Sequence, residues 1–187
     1  MPELPEVETV RLGLSHLLTG FTFRSAQDLH PRVLKPTSLA PLSSVIGGRI
    51  TSINRRGKFL WFELNRDLAL VAHLGMSGQF IIQRRSADVE KHLRVRIDCG
   101  DRKREIRFID QRTFGWVAID KLVREDNELI PQSFARIAPD IFDKRFDRTA
   151  VISKFQKKNS AIKRVLLDQS VMSGVGNIYA DEALWRA

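Results

Sequence analysis

The chain has little cysteine and no long apolar run, and each scarcity excludes a class of protein. Its 187 residues include one cysteine, Cys99, which excludes an intrachain disulfide and a zinc site built from its own cysteines. No run approaches the roughly eighteen apolar residues that a membrane-spanning helix needs. The first residues carry acids instead of the basic and apolar regions of a signal peptide, so we expect a cytoplasmic protein with no membrane segment.

Acidic residues are also in the minority, 22 against 31 lysines and arginines, for a net charge of +9. This balance suits a polyanionic partner, although composition alone is equally compatible with an ordinary basic soluble protein. The distribution favours the polyanion, because residues 148–167 contain six basic residues and no acid. The members of this basic block are Arg148, Lys154, Lys157, Lys158, Lys163 and Arg164. A block of one sign predicts a phosphate-facing surface more readily than a generic solvated face.

Hydrophobic periodicity divides the chain into three regions. Apolar residues at helical spacing from Val7 to Leu18, with Pro5 near the start and Gly20 at the end, predict an N-terminal helix. Alternating or continuous apolar runs then predict strands at residues 58–64, 68–74, 93–98 and 105–108. The last part predicts helices at residues 142–155, 160–169 and 178–187. We therefore expect an α+β chain with a boundary near residue 130.

The first nine residues bring together groups suited to nucleophilic attack on a sugar carbon. Removal of Met1 would leave Pro2 as a terminal secondary amine, with an ordinary pKa of about 7.7–8.0 against about 10.4 for lysine. More of this amine is neutral at pH 7, and its adduct with a sugar C1′ is a cationic iminium. Glu3 and Glu6 supply carboxyl groups that move protons or, alternatively, cap the following helix, the interpretation we favour for Glu6.

Four motifs, in order along the chain, carry a resemblance to a known family. They are MPELPEVETV from Met1, RRGK from Arg55, HLGMSG from His73 and GVGNIYA from Gly174. Together they resemble the formamidopyrimidine-DNA glycosylase family, and the N-terminal string favours this branch over the related endonuclease VIII branch. The resemblance implies a monomeric, bifunctional DNA glycosylase and abasic-site lyase of base-excision repair. Its substrate would be double-stranded DNA containing 8-oxoguanine or formamidopyrimidines, and a bacterial member would be nucleoid-associated.

The resemblance also implies four catalytic residues. Pro2 would be the Schiff-base nucleophile and Glu3 the proton donor at the sugar, with Glu6 as a supporting carboxylate. Lys58 would lie near the lesion and assist β-elimination. On composition alone, Lys58 is an ordinary basic residue at the start of a strand.

Six further residues match DNA-contacting positions of the family. Met76, Arg112 and Phe114 would fill the gap that an extruded nucleotide leaves, with Arg112 facing the orphaned cytosine and Phe114 acting as a wedge. The expected phosphate or backbone contacts are His92, Lys158 and Asn177. Asn177 is also expected to cap the last helix. The family usually has Pro and Arg where this chain has Gln111 and Thr113, a departure that flanks the matched positions.

The resemblance implies an N-terminal helix and antiparallel β-sandwich over residues 1–130, then a partial helix–two-turn–helix domain over residues 131–187. The sequence stops inside a predicted helix at Ala187, so we expect a fragment of reduced activity. The family's C-terminal four-cysteine zinc finger has no counterpart here, and no cofactor is expected in this chain. Two alternatives remain, a glycosylase of the same superfamily for oxidised pyrimidines and a non-catalytic protein that binds damaged DNA. The joint presence of Pro2, Glu3 and Lys58 argues against simple binding.

Overall fold

The structure is a computed structural model that describes residues 2–100 and 103–187, and it begins with the predicted helix, α1 (Leu4–Leu18). Pro5 stands in its first turn, where a missing N–H costs nothing. Leu4, Val7, Leu14 and Leu18 are buried, as the helical spacing of the apolar residues requires. Gly20, at φ +92°, turns the chain away after the helix. The helix thus rests on the sheet through one apolar face.

Two antiparallel sheets follow α1. One sheet orders its strands as β1 (Ser25–Asp28), β6 (Leu93–Asp98), β7 (Arg104–Ile109) and β5 (Gln79–Arg84). The other orders them as β2 (Ile50–Arg56), β3 (Phe59–Leu64), β4 (Leu68–His73), β8 (Trp116–Glu125) and β9 (Glu128–Pro131). The expectation of an N-terminal helix with antiparallel sheets is confirmed.

The core lies between the two sheets, and α1 contributes to it. Alternate residues of β3 separate two apolar clusters: Leu60 and Phe62 face this core, whereas Trp61 packs on the opposite face. Phe134, which follows β9, completes that second cluster, with its ring centroid 5.8 Å from that of Trp61. Because β3 is buried on both faces from Leu60 to Phe62, its sequence is apolar from Phe59 to Phe62, before Glu63 interrupts the run.

Three helices form the last part of the described chain, α2 (Arg148–Lys157), α3 (Ile162–Leu166) and α4 (Asn177–Arg186). The helix predicted from Phe142 was wrong at its start. Asp147 caps α2 by accepting a hydrogen bond from the Ala150 N–H at 3.0 Å, and before it Asp143 accepts one from the Arg145 N–H in a local turn. The second predicted helix is shorter than expected, and α4 matches its prediction within a residue. None of the described helices is long and apolar enough to cross a bilayer.

Candidate active site

Glu3 joins the two ends of the described chain. The residue is 2% exposed, and its carboxylate accepts hydrogen bonds from the backbone N–H groups of Gly176 (2.6 Å), Ile178 (2.8 Å) and Tyr179 (3.3 Å). These groups belong to the first turn of α4, where helical N–H groups lack partners within the helix. The carboxylate therefore caps α4 from a position 173 residues away in the chain. The same contacts hold its oxygens in a fixed orientation.

The prediction that Asn177 caps α4 was wrong, since Gly176 is the N-cap residue and Asn177 is the first residue of the helix. Its exposed side chain makes no capping hydrogen bond, because the Glu3 carboxylate occupies the place that a local cap would take. Exposure leaves the Asn177 amide open to solvent beside a helix N-terminus. Its expected contact with phosphate stays a prediction.

The loop before α4 is shaped to admit Glu3. A Cβ on Gly176 would lie 2.5 Å from the Glu3 Cδ, and one on Gly174 would lie 3.0 Å from the Leu4 Cβ. The Leu4 N–H donates to the Gly174 carbonyl at 3.1 Å. Gln169 fastens this loop, donating to the Val175 carbonyl at 3.0 Å and accepting from the Gly174 N–H at 2.9 Å. The glycines of the GVGNIYA motif therefore serve the close approach of the N-terminal segment.

Glu6 caps α1, as its position three residues after Glu3 predicted on local grounds. Its carboxylate accepts from the Glu3 N–H at 2.9 Å and from the Tyr179 hydroxyl at 3.3 Å. The exposed Glu6 side chain therefore bridges α1 and α4 beside Glu3. Pro2, half-buried, lies directly before this pair of acids.

Lys58 lies in the tight turn between β2 and β3, against the same loop. Gly57 adopts φ +57°, and a Cβ on it would lie 2.9 Å from the Ser173 side chain. Lys58 is 8% exposed, and burial lowers its pKa below the usual lysine value, an effect that the nearby Glu3 carboxylate partly offsets. The structure thus brings Lys58 into the electrostatic neighbourhood of Glu3. A lysine with a lowered pKa supplies more neutral amine at neutral pH.

His73 is a site residue that the sequence analysis passed over, although it begins the HLGMSG motif. Burial, and then the positive charges of Lys58 and Lys35, lower the pKa of His73 to about 4. Its Nδ1 accepts from the Gly75 N–H at 3.1 Å, so the neutral ring carries its proton on Nε2. The ring stacks on Trp116, with centroids 5.8 Å apart. His73 therefore presents a neutral hydrogen-bond donor close to Lys58.

Met76 and Phe114 lie on two loops packed backbone against backbone. A Cβ on Gly75, at φ +60°, would lie 2.4 Å from the Gly115 nitrogen. Met76 is 44% exposed and Phe114 53% exposed, and the Arg112 guanidinium lies 4.8 Å from the Phe114 ring centre. The loops thus present two exposed apolar side chains and a cation together, the combination that insertion into a base stack requires.

Asp110 holds these two loops together through hydrogen bonds from its buried carboxylate. Its fully buried carboxylate accepts from the Ser77 hydroxyl (2.5 Å), the Gly115 N–H (2.6 Å) and the Arg112 N–H (3.1 Å). Burial acts to raise the pKa of Asp110, but these hydrogen bonds outweigh it and hold the pKa below its usual value. A charged acceptor at this point ties the loop of Met76 to the loop of Phe114.

His92 flanks the same loops, and Lys158 does not. The His92 carbonyl accepts from the Asp110 N–H at 2.9 Å, which sets the half-buried imidazole beside the Arg112 loop. Lys158 follows α2 and pairs with Asp168, with its Nζ 3.0 Å from a carboxylate oxygen. Its expected DNA contact would require this exposed pair to open or to be shared with phosphate.

The basic block is less uniform in space than in sequence. Two members form ion pairs with acids from outside the block. Lys158 pairs with Asp168 at 3.0 Å, and Lys163 pairs with Asp181 at 2.5 Å. Within residues 2–100 and 103–187, the other members have no salt bridge: Arg148, Lys154, Lys157 and Arg164. Four of its six members are therefore not paired with a described acid, and the expected contact of the block with phosphate stays a prediction.

No group of three or more histidine, cysteine, aspartate or glutamate side chains lies close enough to hold a metal ion in the described part of the chain. Cys99, the cysteine of the sequence, is buried in the core. A cleft of about 760 Å³ lies away from Pro2 and Glu3, between α1, the outer face of β2 and β3, and residues 140–145.

Comparison with known proteins matches almost the whole chain to one family. Residues 1–117 match the formamidopyrimidine-DNA glycosylase N-terminal domain, and residues 137–187 match the formamidopyrimidine-DNA glycosylase H2TH domain. A boundary near residue 130 would fall between the two matches and stays a prediction. The formamidopyrimidine-DNA glycosylase of Acidothermus cellulolyticus is 48% identical over 190 residues, and that of Rhodococcus opacus 50% over 193. The chain aligns over its full length and spans 66% of each relative.

Two solved structures are similar to the chain at the level of the fold. One is the complex between Lactococcus lactis Fpg and DNA containing an abasic site, with a TM-score of 0.81 and 32% identity. It covers 98% of this chain, which spans 66% of that protein. The other is an inhibited LlFpg with DNA containing N7-benzyl-Fapy-dG, also with a TM-score of 0.81 and 32% identity. That match covers 98% of this chain and 67% of the other.

Proposed function

Because this chain belongs to the formamidopyrimidine-DNA glycosylase family, we propose that the protein is a DNA glycosylase of base-excision repair that also cleaves the abasic site it forms. The observation that carries the proposal is the junction of α1, α4 and the β2–β3 turn. There a buried, oriented carboxylate lies near a lysine of lowered pKa, next to Pro2. Capping of α4 accounts for the Glu3 carboxylate alone, whereas a lysine of lowered pKa beside it and next to Pro2 favours chemistry over simple binding.

The proposed substrate is double-stranded DNA that contains an oxidised purine, 8-oxoguanine or a formamidopyrimidine. Support comes from the Lactococcus lactis complexes with abasic-site and Fapy-dG DNA, and from the net charge of +9. Extrusion of a base costs a few kcal/mol, which inserted side chains offset by restacking the duplex. Met76, Arg112 and Phe114 are proposed for this role, since all three lie on the fastened loop pair.

Pro2 is the proposed nucleophile after removal of Met1. Its nitrogen would attack C1′ and lose its proton, while the glycosidic bond breaks and its electron pair leaves with the base, which takes up a proton. Opening of the sugar ring then moves the C1′–O4′ electron pair to O4′. Glu3 would donate the proton to O4′, and the iminium between Pro2 and C1′ remains. The hydrogen bonds from α4 favour this role by holding the Glu3 carboxyl in one orientation.

Strand cleavage requires loss of a proton from C2′, after which the C3′–O bond breaks and the phosphate leaves. Lys58 is proposed to act mainly in excision, near the damaged base, and to assist this elimination without being essential to it. Burial disfavours its charged form, so part of the amine is neutral and able to accept a proton. The neutral His73 next to it is a hydrogen-bond donor that adds no charge.

Borohydride trapping tests the nucleophile. Reduction during reaction of the full-length gene product with 8-oxoguanine duplex should give a covalent complex, located by mass spectrometry on the peptide that begins at Pro2. A cross-link on Lys58 would refute the assignment. Faster excision of oxidised pyrimidines would favour the other branch of the superfamily, and lesion binding without any excision would favour a binding protein.

A further inference from the structure

A buried ion triad connects three parts of the chain near the proposed site. Arg55, at the end of β2, donates its Nε to the Glu8 carboxylate of α1 at 2.8 Å. It also donates both terminal nitrogens to the two oxygens of Asp140, at 2.6 and 3.2 Å. The Arg55 side chain is 5% exposed and that of Asp140 is 1% exposed. Bidentate geometry of this kind fixes orientation as well as distance.

The triad also holds the backbone of the turn that carries Lys58. The Gly57 N–H donates to Asp140 Oδ2 at 2.9 Å, and the Gly57 carbonyl accepts from Arg55 Nη1 at 3.1 Å. The N–H and the carbonyl of Gly57 are therefore both hydrogen-bonded to the ion pair. Gly57 is in the left-handed region, at φ +57°, and has contact with Ser173 on its other side. The turn cannot shift without breaking at least one of these contacts.

Asp140 comes from a part of the chain that is distant in sequence from the turn it contacts. It belongs to the segment between β9 and α2, and it reaches Gly57 across 83 positions of sequence. Burial acts to lower the pKa of Arg55, but hydrogen bonds to Asp140 and Glu8 outweigh it and raise the pKa. The Arg55 guanidinium thus stays charged at any ordinary pH. A buried ion pair is weak evidence for stability, because apolar groups of similar volume often serve as well.

We propose that Asp140 is a positioning residue: it holds the Gly57 peptide, and with it Lys58, at a fixed separation from Glu3 on α1. The inference rests on the proposed function and deepens it. Glu8 ties the triad to the helix that follows Glu3, and Asp140 ties it to the chain that leads into the helical part. The separation of Lys58 and Glu3 therefore depends on how the helical part packs against the sheets.

Asp140→Asn tests this inference, because it keeps the shape of the side chain and removes its charge and one acceptor. Excision of 8-oxoguanine by the full-length gene product in a single turnover should fall about 10- to 100-fold, the range that a misplacement near 1 Å causes. Affinity for an uncleavable lesion duplex should match that of the wild type, since Asp140 is buried and has no access to DNA. A loss of affinity by the same factor would overturn the proposal.

Asp143→Asn is the matched control. Asp143 lies three residues away and forms its own ion pair with Arg145 at 2.6 Å, while the turn that carries Lys58 is held by Asp140. The control should excise 8-oxoguanine at a rate close to the wild type. An equal loss in the two variants would mean that Asp140 acts only through general stability.

A second readout does not depend on enzymatic activity. Competitive acetylation of the wild type across a pH series, followed by mass spectrometry of the Lys58 peptide, reports how readily that amine loses its proton. Asp140→Asn should move the midpoint for Lys58 upward, toward an ordinary lysine, as the turn loosens and admits water. An unchanged midpoint would overturn the proposal, whether or not the protein excises bases.

Arg55→Lys covers the case in which Asp140→Asn does not fold. Lysine keeps the charge but cannot bond Asp140 in a bidentate way and Glu8 together, so Lys58 labelling should shift in the same direction. If labelling is unchanged in Arg55→Lys, the proposal fails. If the wild type does not excise the base but Lys58 labelling still differs between the variants and the wild type, the proposed function fails and the positioning role stands.

Discussion

At the residue scale, Lys58 and His73 are two nitrogen bases whose pKa values the fold lowers. Burial is the main cause for both, and the charge of Lys58 adds to the effect on His73. The two residues are close because Phe59, next to Lys58, pairs with His73 across β3 and β4. Sheet register, and not sequence proximity, couples their protonation.

Lys58→Ala should reduce 8-oxoguanine excision far more than cleavage of a preformed abasic site. The proposed role of Lys58 is near the damaged base, whereas Pro2 reaches an open sugar unaided. Single-turnover rates on the two duplexes, with the full-length gene product, measure the difference. Equal losses on both substrates would instead indicate a role in phosphate binding or folding.

His73 should make the free energy of unfolding depend on pH. Its pKa is about 4 in the folded protein against 6.5 ordinarily, so the unfolded chain binds the proton more readily between these values. The stability that neutral His73 contributes is complete above pH 6.5 and declines as the pH falls toward 4. Urea unfolding at pH values across this window should show a smaller decline in His73→Asn than in the wild type.

His16→Asn is the control for this pH series. His16 is exposed on α1, so its replacement should leave the pH dependence of unfolding as it is in the wild type. A decline in His73→Asn as steep as that of the wild type would contradict the prediction.

At the element scale, α1 and α4 begin at the same carboxylates. Glu3 precedes α1 and caps α4, while Glu6 caps α1 and accepts from Tyr179 of α4. Partial positive charge at the two helix N-termini is thereby concentrated around the two acids and close to Pro2. Glu3 and Glu6 therefore hold the two helix N-termini together beside Pro2.

Gly176→Ala should displace the Glu3 carboxyl, since the new Cβ would lie 2.5 Å from the Glu3 Cδ. We expect it to destabilise the protein by roughly 1–3 kcal/mol, the cost of overpacking, and to abolish most excision. Gly13→Ala, in α1, meets nothing within 4 Å and should stabilise by about 0.5–1 kcal/mol. Thermal and urea unfolding of both variants measure this contrast, and similar stabilities would contradict it.

At the scale of the whole molecule, charge is distributed less simply than the sequence suggests. The net charge of +9 includes lysines whose charge a nearby acid compensates, such as Lys163 beside Asp181 at 2.5 Å. Exposed ion pairs of this kind contribute little to stability. Their main consequence is to reduce the local positive potential available to a phosphate backbone.

Lys157→Gln should weaken binding to undamaged duplex and lower its salt dependence, because Lys157 lies in the basic block and has no salt bridge in the described part of the chain. Loss of one phosphate contact changes the slope of log K against log salt by about 0.9. Lys163→Gln should change the slope less, since Asp181 already compensates that charge. Fluorescence titrations over a salt series compare the two, and equal changes would show that the ion pair does not matter.

Much of the fold follows from local patterns. The spacing of Val7, Leu14 and Leu18 predicts α1, and the apolar runs around Phe62 and Leu70 predict buried strands. A predicted helix start is wrong where side-chain hydrogen bonds interrupt the helical spacing of apolar residues. Apolar spacing continues through Phe142, but the turns there and the cap at Asp147 delay α2 to Arg148.

The candidate site, like the fold, could be predicted only in part from the sequence. Motif strings single out Pro2 and Glu3 in MPELPEVETV and Lys58 in RRGK, where Gly57 permits the close approach of the turn to Ser173. They do not reveal that Glu3 caps α4, that Asp140 holds Gly57, or that acids compensate Lys158 and Lys163. Those contacts join residues far apart in the chain, and no local pattern encodes them.

The sequence by itself determined the family, the helix α1, the strands β3, β4, β6 and β7, and the residues proposed for the chemistry, because these depend on residue type and short-range spacing. Only the tertiary structure decided their electrostatic state. The pKa of Lys58 falls because the turn is buried against the Ser173 loop, and that of His73 falls because the sheet register adds the charge of Lys58. Burial and charge proximity are properties of the assembled chain, since they arise from contacts between segments that only folding brings together.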